Sequence, residues 1–238
     1  MQILADYHTH TVYSHGKGTI EENVKIAIQK GIKTIGISDH SYGHAIFGVK
    51  RDELFKMRAE INDLNEIYGD KIKILLGVEC NILDKHGNID CDDKIRKILD
   101  YVMAGYHFGS TPTNISGWKN HFDNLLFHSK KAAEYNTEAI CNAMKNNDIF
   151  AITHPGDKGD VYIEEIAKVA KDTNTHLEIN SSHNFLNIEQ LITIKDIGNT
   201  FIIGSDAHTP NDVGRFLPAI YTMKYSGLPL SRIENVRF

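Results

Sequence analysis

Histidine and carboxylate side chains, the common protein ligands of divalent metal ions, recur in short motifs along this sequence of 238 residues. His8 and His10 are two positions apart, and Asp206 and His208 repeat that spacing much later in the chain. Residues i and i+2 of a β-strand point to the same side, so each pair can bind one ion. The 13 histidines are not clustered as an affinity tag would be, which favours a distributed metal site.

Nine candidate ligands follow apolar segments that could form strands, namely His8, His10, His15, His40, Glu79, His107, His154, Asp206 and His208. Imidazole suits zinc, manganese and iron, and a carboxylate can bridge two ions. Ions held close together lower the pKa of a bridging water and bind a substrate oxygen. The expected chemistry is therefore hydrolysis at a metal cluster. Its catalytic centre would comprise Glu79, Asp206, His107 and His154.

Each of these residues also has a structural explanation when it is taken alone. A single histidine at a strand end is more often exposed or hydrogen-bonded than a ligand, but nine such residues at successive strand ends favour a site. The remaining histidines lack this context. We interpret His86, His121, His128 and His176 as surface or helix residues, whereas the two in loops, His44 and His183, stay open.

Seven apolar segments rich in Ile, Val and Leu predict strands, and five segments with helical periodicity predict helices between them. The predicted strands are 3–7, 34–38, 72–78, 101–105, 149–153, 177–180 and 201–204, and the predicted helices are 20–30, 52–68, 122–145, 163–172 and 188–197. A capping box at Thr19 and Glu22 and a C-terminal Gly31 delimit the first helix. This alternation predicts an α/β fold with a mostly parallel sheet, closed into a barrel, with a doubly wound open sheet as the alternative.

Barrel active sites lie at the carboxyl ends of the strands, where the candidate ligands fall. Two segments, 108–120 and 43–51, are predicted as loops on the same rim. The first is rich in Gly, Ser, Thr, Pro and Asn and contains Trp118, the only tryptophan. These loops are expected to form the sides of the substrate pocket and to limit its size.

The amino-acid composition limits the binding partners and the cellular compartment that we expect for this protein. The net charge of −5, from 31 acidic and 26 basic residues, argues against nucleic-acid binding, although bound ions would still attract a small anionic substrate. Three cysteines without CxxC spacing suggest reduced thiols. With no apolar run of membrane length and no signal-peptide pattern, we expect a cytoplasmic protein without a membrane partner. An oligomer is left open.

The ordered motifs resemble those of the PHP family, the polymerase and histidinol phosphatase superfamily. They are Asp6-Tyr7-His8-Thr9-His10, Ser14-His15-Gly16-Lys17-Gly18, Ser38-Asp39-His40-Ser41, Gly77-Val78-Glu79, Gly105-Tyr106-His107, Thr153-His154-Pro155 and Gly204-Ser205-Asp206-Ala207-His208. The resemblance implies a distorted (β/α)7 TIM-like barrel, a single domain over 1–238, and two to three divalent ions. One ion would be bound by His8, His10, Glu79 and Asp206, a second by Glu79, His107 and His154, and a third by His15, His40 and His208.

The resemblance and the short rim loops together predict a metal-dependent phosphoesterase that hydrolyses a small phosphomonoester with a metal-bridged hydroxide. The residues expected to contact the substrate are Arg215, Lys17, His44 and Asn180. Three alternatives remain, which are a histidinol-phosphate phosphatase, an amidohydrolase-type C–N hydrolase and a non-catalytic metal-binding regulatory domain. Glu79 argues against the second, because that class commonly has a bridging lysine there, and the complete ligand set argues against the third.

Overall fold

Seven parallel strands and the helices that connect them make up most of the structure, a computed structural model that describes residues 2–237. The strands are β1 (Gln2–Ile3), β2 (Ala5–Asp6), β3 (Thr34–Ile37), β4 (Lys73–Asn81), β5 (Tyr101–Gly105), β6 (Ala151–Ile152), β7 (His176–Asn180), β8 (Phe201–Gly204) and β9 (Val236–Arg237). The α-helices are α1 (Ile20–Gln29), α2 (Glu53–Tyr68), α3 (Asp93–Arg96), α4 (Ile115–Leu126), α5 (Lys130–Asn146), α6 (Ile163–Thr173), α7 (Ile188–Ile194) and α8 (Leu217–Ser226).

Strands β2 to β8 pair with one another in the order of the sequence, and each pair is parallel. Such pairing requires a crossover between consecutive strands, and the helices supply most of these crossovers. Their apolar faces pack on the strands in one large core. The predicted seven-stranded barrel is confirmed. Within residues 2–237, no helix is long and apolar enough to cross a lipid bilayer.

The barrel closes between its first and last parallel strands, beyond the point where both strands end. Thr9 and Ala207 form an isolated parallel bridge, in which the His10 amide donates to the Ala207 carbonyl over 2.8 Å. The Ser205 amide also donates to the buried carboxylate of Asp6 over 3.2 Å. Closure therefore takes place among the candidate ligands and sets the distance between His8, His10 and Asp206.

At the other end of this seam, the side chain of Asn235 joins the two strands. Its amide nitrogen donates to the carbonyls of Ala5 (2.7 Å) and Ile203 (2.8 Å), and its oxygen accepts from the Ile203 amide (3.0 Å). The short strand β9 that follows pairs antiparallel with β1. Asn235 thus replaces the ladder hydrogen bonds that β2 and β8 do not make directly.

Aromatic side chains fill the lower part of the barrel. The rings of Tyr7, Tyr101 and Phe150 contact one another edge to face at centroid distances of 4.9 to 5.8 Å. A Cβ atom at Gly77 would lie 2.3 Å from Cζ of Tyr101, so the strand must have glycine at that position. Because this layer is packed, the chemistry of the barrel is confined to its carboxyl end.

Two expectations about secondary structure are wrong. The segment 108–120 is not one long loop, since α4 begins at Ile115 after the Asn114 side chain accepts from the Gly117 amide. The helix predicted over 122–145 is two helices, α4 and α5, separated by a turn in which His128 has a φ of 49°. The apolar residues of α4 face outward, so the helical pattern did not mark a buried side.

The boundaries of several strands also differ from the prediction, since the segment 3–7 forms the two short strands β1 and β2, and the segment 149–153 contributes only β6. Strand β4 continues to Asn81, so Glu79 lies inside the strand rather than after it. His176, interpreted as a surface or helix residue, is buried in β7 with its Nδ1 2.7 Å from Oγ1 of Thr200. The capping box of Thr19 and Glu22 is confirmed at the start of α1.

We expect Asn235→Ala to lower the free energy of unfolding by roughly 3 kcal/mol, since each buried group left without a partner costs about 1–3 kcal/mol. Asn199→Ala is the matched control. Asn199 is also buried, but its amide atoms have no hydrogen-bond partner within residues 2–237. Urea unfolding of both variants measures the difference. Equal losses would contradict the role of Asn235 at the seam.

Candidate metal centre

Two glutamates project into the barrel above its aromatic layer. Glu79 pairs in register with Met103 of β5, and Glu178 of β7 pairs with Ile202 of β8. Met103 and Ile202 both belong to the interior apolar cluster. Laterally paired residues share a face of the sheet, so both carboxylates point inward. Both are fully buried.

Glu79 lies at the centre of the histidine cluster. Its Oε1 is 2.9 Å from Nε2 of His154, 3.1 Å from Nε2 of His107 and 3.5 Å from Nε2 of His8. Its Oε2 is 2.9 Å from Nδ1 of His40 and 3.8 Å from Nε2 of His10. One carboxylate therefore reaches five imidazoles, which come from four different segments of the rim.

Asp206 forms a second centre beside Glu79. Its Oδ1 is 3.2 Å from Nε2 of His10 and 3.5 Å from both Nε2 of His8 and Nδ1 of His208. The Nε2 atoms of His8 and His10 are only 3.1 Å apart. The Nε2 lone pairs of two deprotonated imidazoles at that distance could both face one cation. His15 extends the cluster outward, with its ring centroid 4.2 Å from that of His208.

Three groups of these side chains could each hold a metal ion, because their ligand atoms lie within 4.8 Å of one another. They are His8, His10 and Glu79, then His40, Glu79 and His107, and finally His10, His15 and His208. The first group agrees with the ligand set implied by the family resemblance. The other two differ, since His40 joins Glu79 and His107, and His10 joins the outer histidines.

Several atoms of this cluster are buried without hydrogen bonds. Oε2 of Glu79 and Nδ1 of His40 are in contact at 2.9 Å but not in hydrogen-bond geometry, and among residues 2–237 no group hydrogen-bonds to Nδ1 of His10 or His15. Leaving buried polar atoms unpaired is costly, so native proteins satisfy nearly all of them. Nitrogen and carboxylate donors of this kind are what zinc, manganese or iron ions prefer. The donor set is therefore chemically suited to divalent ions.

The pKa values of both carboxylates are lowered, because the neighbouring histidines outweigh the effect of burial. Burial alone raises the pKa of Glu79, but the positive charge of His8 and the contacts with the other surrounding imidazoles outweigh it and hold that pKa well below its usual range. The pKa of Asp206 is likewise lowered, because His8 and His10 offset the effect of burial. Both side chains are therefore anionic at neutral pH. Anionic oxygens are the form that binds metal.

The histidines divide into two groups by pKa. Burial lowers the pKa of His107 and of His15 to about 4, so both rings are neutral at pH 7 and have a free lone pair. Burial acts on His154 in the same direction, but its hydrogen bond to Glu79 raises the pKa to about 9. His8 has a raised pKa too, since Glu178, Asp206 and Glu79 outweigh burial.

Glu178 is a site residue that the sequence reasoning missed. One of its oxygens is 2.7 Å from Nδ1 of His8, and the other accepts from the His154 amide and from the Asn180 side chain. A Cβ atom on Gly204 would lie 2.0 Å from this carboxylate, so glycine makes room for it. The available signal was strand alternation, which places Glu178 two residues before Asn180 on the same inward face.

Backbone strain is present at two candidate ligands. His154 has a φ of 26° and Asp206 a φ of 52°, values in the region that favours glycine. Non-glycine residues in this conformation cost energy and cluster at functional sites. Here the unusual backbone turns both side chains toward Glu79 and His10 as the chain leaves β6 and β8.

The cluster lies at the bottom of a cavity of about 380 Å³. The upper wall is partly apolar, with Ile46, Phe47 and Phe108 beside the histidines. The polar side includes Asp157 and Lys158, whose carboxylate and ammonium are 2.6 Å apart. The cavity is further lined by His10, His15, His40, His44, Glu79, His107, Gly109, His154, His183, Asp206 and His208.

His183, which the sequence left open, contacts two of the three acidic residues that line the cavity. Its Nε2 is 3.4 Å from Oδ2 of Asp206, and its Nδ1 is 3.3 Å from Oδ1 of Asp157. Asp157 and Lys158 were not predicted as site residues. Both follow Pro155-Gly156 in the turn after β6, and their charges near the predicted His154 were the available signal.

The four residues predicted to contact substrate lie in different places. His44 lines the cavity. Asn180 does not line it, since its side chain donates to Glu178 and to Asp206 and so orients the carboxylates. Arg215 is not among the lining residues and donates to Oγ of Ser182 over 3.1 Å. Lys17 is exposed and outside the cavity walls formed by residues 2–237.

Sequence comparison agrees with the geometry of the site. A profile of the PHP domain matches residues 6–182, which is more than half of the chain.

The chain belongs to the PHP family.

Its relatives include proteins named "probable phosphatase". That of Thermoanaerobacter sp. (strain X514) is 34% identical over 248 residues, covering 99% of this PHP chain and 91% of the relative. The probable phosphatase of Shewanella frigidimarina (strain NCIMB 400) is 30% identical over 246 residues, covering 99% of this chain and 90% of the relative. Among solved structures, the histidinol phosphate phosphatase of Lactococcus lactis subsp. lactis Il1403, complexed with zinc, L-histidinol and phosphate, has the same fold. The TM-score is 0.66 at 20% identity, with 95% of both chains covered.

For the metal centre of this PHP protein, we expect purified wild type to contain more than one equivalent of zinc, manganese or iron.

Glu178→Gln should weaken metal binding roughly 10–100-fold, because it removes the charge that holds His8. Elemental analysis and titration against a competing chelator measure both quantities. Glu189→Gln, an exposed change at the start of α7, is the control. Unchanged affinity in Glu178→Gln would contradict this role.

Proposed function

We propose that this PHP protein is a metal-dependent phosphoesterase that hydrolyses small phosphomonoesters at a cluster of two to three divalent ions. The observation that carries the proposal is the position of Glu79, one buried carboxylate within 4.0 Å of five imidazoles at the bottom of a cavity. The phosphatase names of relatives that span nearly the whole chain support the same class of reaction.

The nine predicted ligands have the role of binding these ions. When bound, the ions supply a hydroxide nucleophile at neutral pH and neutralise the charge on the phosphoryl oxygens. Glu79 and Asp206 provide anionic oxygens at the centre, and the neutral rings of His107 and His15 provide lone pairs. Glu178 keeps His8 in one orientation, and Asn180 does the same for Asp206.

Different walls of the cavity bind the phosphoryl group and the leaving group of the substrate. Among the lining residues of the described chain, Lys158 is the single lysine or arginine, and we assign it to a phosphoryl oxygen in place of Arg215 and Lys17. Ile46, Phe47 and Phe108 lie where the leaving group would pass. His44 and His183 also line the cavity. Burial lowers the pKa of His44 to about 4, which leaves its ring neutral at pH 7, so His183 is the candidate to protonate the leaving oxygen.

The size of the cavity favours a small substrate. Its volume of about 380 Å³ is near the lower limit of ordinary small-molecule pockets, which span roughly 300–1,000 Å³. A terminal phosphate carries two charges that can face cations, whereas a diester carries one and has a second bulky substituent. We therefore place polynucleotides outside the substrate range. A cytoplasmic location accords with the three cysteines, all of which are free.

Glu79→Gln should reduce kcat far more than tenfold while leaving the barrel folded. The substitution removes the charge that balances the histidines, and changes outside the ligand set alone cost roughly 10–100-fold. Steady-state kinetics, elemental analysis and circular dichroism of the variant, with Glu189→Gln as control, measure the three effects. Near-normal turnover with unchanged metal content would show that Glu79 is only structural.

The substrate class is tested by initial rates of metal-loaded protein on a panel. It contains 4-nitrophenyl phosphate, its bis-ester, histidinol phosphate and single-stranded DNA. We expect at least one monoester to react fastest, and a chelator to abolish that activity until metal is restored. Faster cleavage of the bis-ester or of DNA would overturn the proposal and indicate a nuclease. Preference for histidinol phosphate over other monoesters would identify the narrower phosphatase.

A further inference from the structure

Helix α4 has its polar side against the protein and its apolar side in solvent. Its buried residues are Gly117, Asn120 and Asn124. The side chains of both asparagines donate to Oδ1 of Asn136 on α5, over 2.7 and 3.0 Å. This arrangement is the reverse of an ordinary surface helix, which buries its apolar stripe. The polar contacts hold the helix in place while its apolar face points outward.

The outward face is one continuous apolar surface. Its six residues, termed the α4 face, expose between 45% and 75% of their surface and are Ile115, Trp118, Phe122, Leu125, Leu126 and Phe127. Each helical member lies three or four residues from another member, which places them along one stripe. No part of residues 2–237 covers this stripe.

The area of the α4 face is that of a protein interface. If a fully exposed side chain of this size presents roughly 150–250 Å², the six residues leave roughly 600–900 Å² uncovered. The largest apolar patch of a typical monomer is about 300–600 Å². A stable pair of proteins buries about 800 Å² on each partner. The α4 face alone therefore supplies the area that one side of a stable dimer needs.

We infer that the α4 face binds a second copy of this chain. The stripe itself has no charged residue, and the charges beside it, Lys119 and Asp123, are opposite in sign, so two copies can meet without repulsion. A membrane surface is less suitable, because helices that lie on lipid carry many cations around the apolar face. Here an acidic residue lies next to the central Phe122 in a protein of net charge −5.

The same helix connects this surface to the cavity. His121 of α4 has Nδ1 2.8 Å from the Tyr106 hydroxyl and Nε2 2.6 Å from the Phe108 carbonyl. Phe108 lines the cavity, so a partner that holds α4 in place also steadies one wall of the site. Association through the α4 face would therefore order the pocket, although the ligands themselves come from one chain.

Light scattering over a concentration series is the first test, with Phe122→Asp as the disrupting change. Phe122 is 60% exposed, and Ile67 on α2, at 62%, provides the matched control Ile67→Asp. We expect wild type and Ile67→Asp to self-associate, and Phe122→Asp to do so roughly 30-fold or more weakly, as for loss of a central aromatic contact. A wild-type monomer at every concentration, or equal effects of the two substitutions, would overturn the inference.

Trp118 gives a second readout that requires no substitution. It is the only tryptophan of the chain and lies on the α4 face, so intrinsic tryptophan fluorescence reports on this surface alone. Its emission should shift to the red when wild type is diluted until the copies separate. No shift across a dissociation seen by light scattering would overturn the location. Cosedimentation of a monomeric wild type with phosphatidylglycerol vesicles would overturn the choice of partner.

Discussion

The structure depends on the burial of carboxylates inside a barrel. Glu79, Glu178 and Asp206 are almost completely withdrawn from water, and an isolated charge in such surroundings would be strongly destabilising. The surrounding imidazoles compensate, and they do so from strands that are far apart in the sequence. A buried charge is tolerated when it is paired and hydrogen-bonded, and removing one partner leaves the other uncompensated. The carboxylates and histidines therefore form a unit whose members constrain one another.

This requirement explains features of the backbone that are otherwise unusual. Gly204 leaves the space that the Glu178 carboxylate occupies, and Gly77 leaves the space for the Tyr101 ring below it. The left-handed backbone at His154 and Asp206 costs energy that the surrounding contacts must offset. The aromatic layer excludes water from beneath the site. The polar cluster thus has a rigid floor, and its open side is limited to the cavity above it.

Sequence reasoning predicted the barrel and the family, both of which are confirmed, because these depend on regular patterns. Apolar strands alternate with helices, and the candidate ligands follow the strands in a fixed order. The predictions failed where a polar side chain is buried or an apolar side chain is exposed. Glu178 lies inside a strand, so the sequence analysis counted it as part of an apolar segment and not as a site residue. Helix α4 exposes its apolar side, so its apolar residues did not mark a buried face. The metal-binding role of the nine residues stays a prediction, although the structure brings them together. Arg215 and Lys17 were predicted to contact the substrate because they are close in sequence to the motif residues. Neither residue lines the cavity, so closeness in sequence to a motif was not sufficient.

The seam of the barrel also determines the order in which the site can be assembled. Asn235 bonds to Ala5 across 230 positions of the chain, and Ser205 bonds to Asp6 across 199. Contacts of such separation form late in folding, since a long loop must close before they contribute. Before that step, His8 and His10 are on one free edge of the sheet and Asp206 is on the other. A folding intermediate with an open seam would thus have most of its helices and strands but only a divided ligand set.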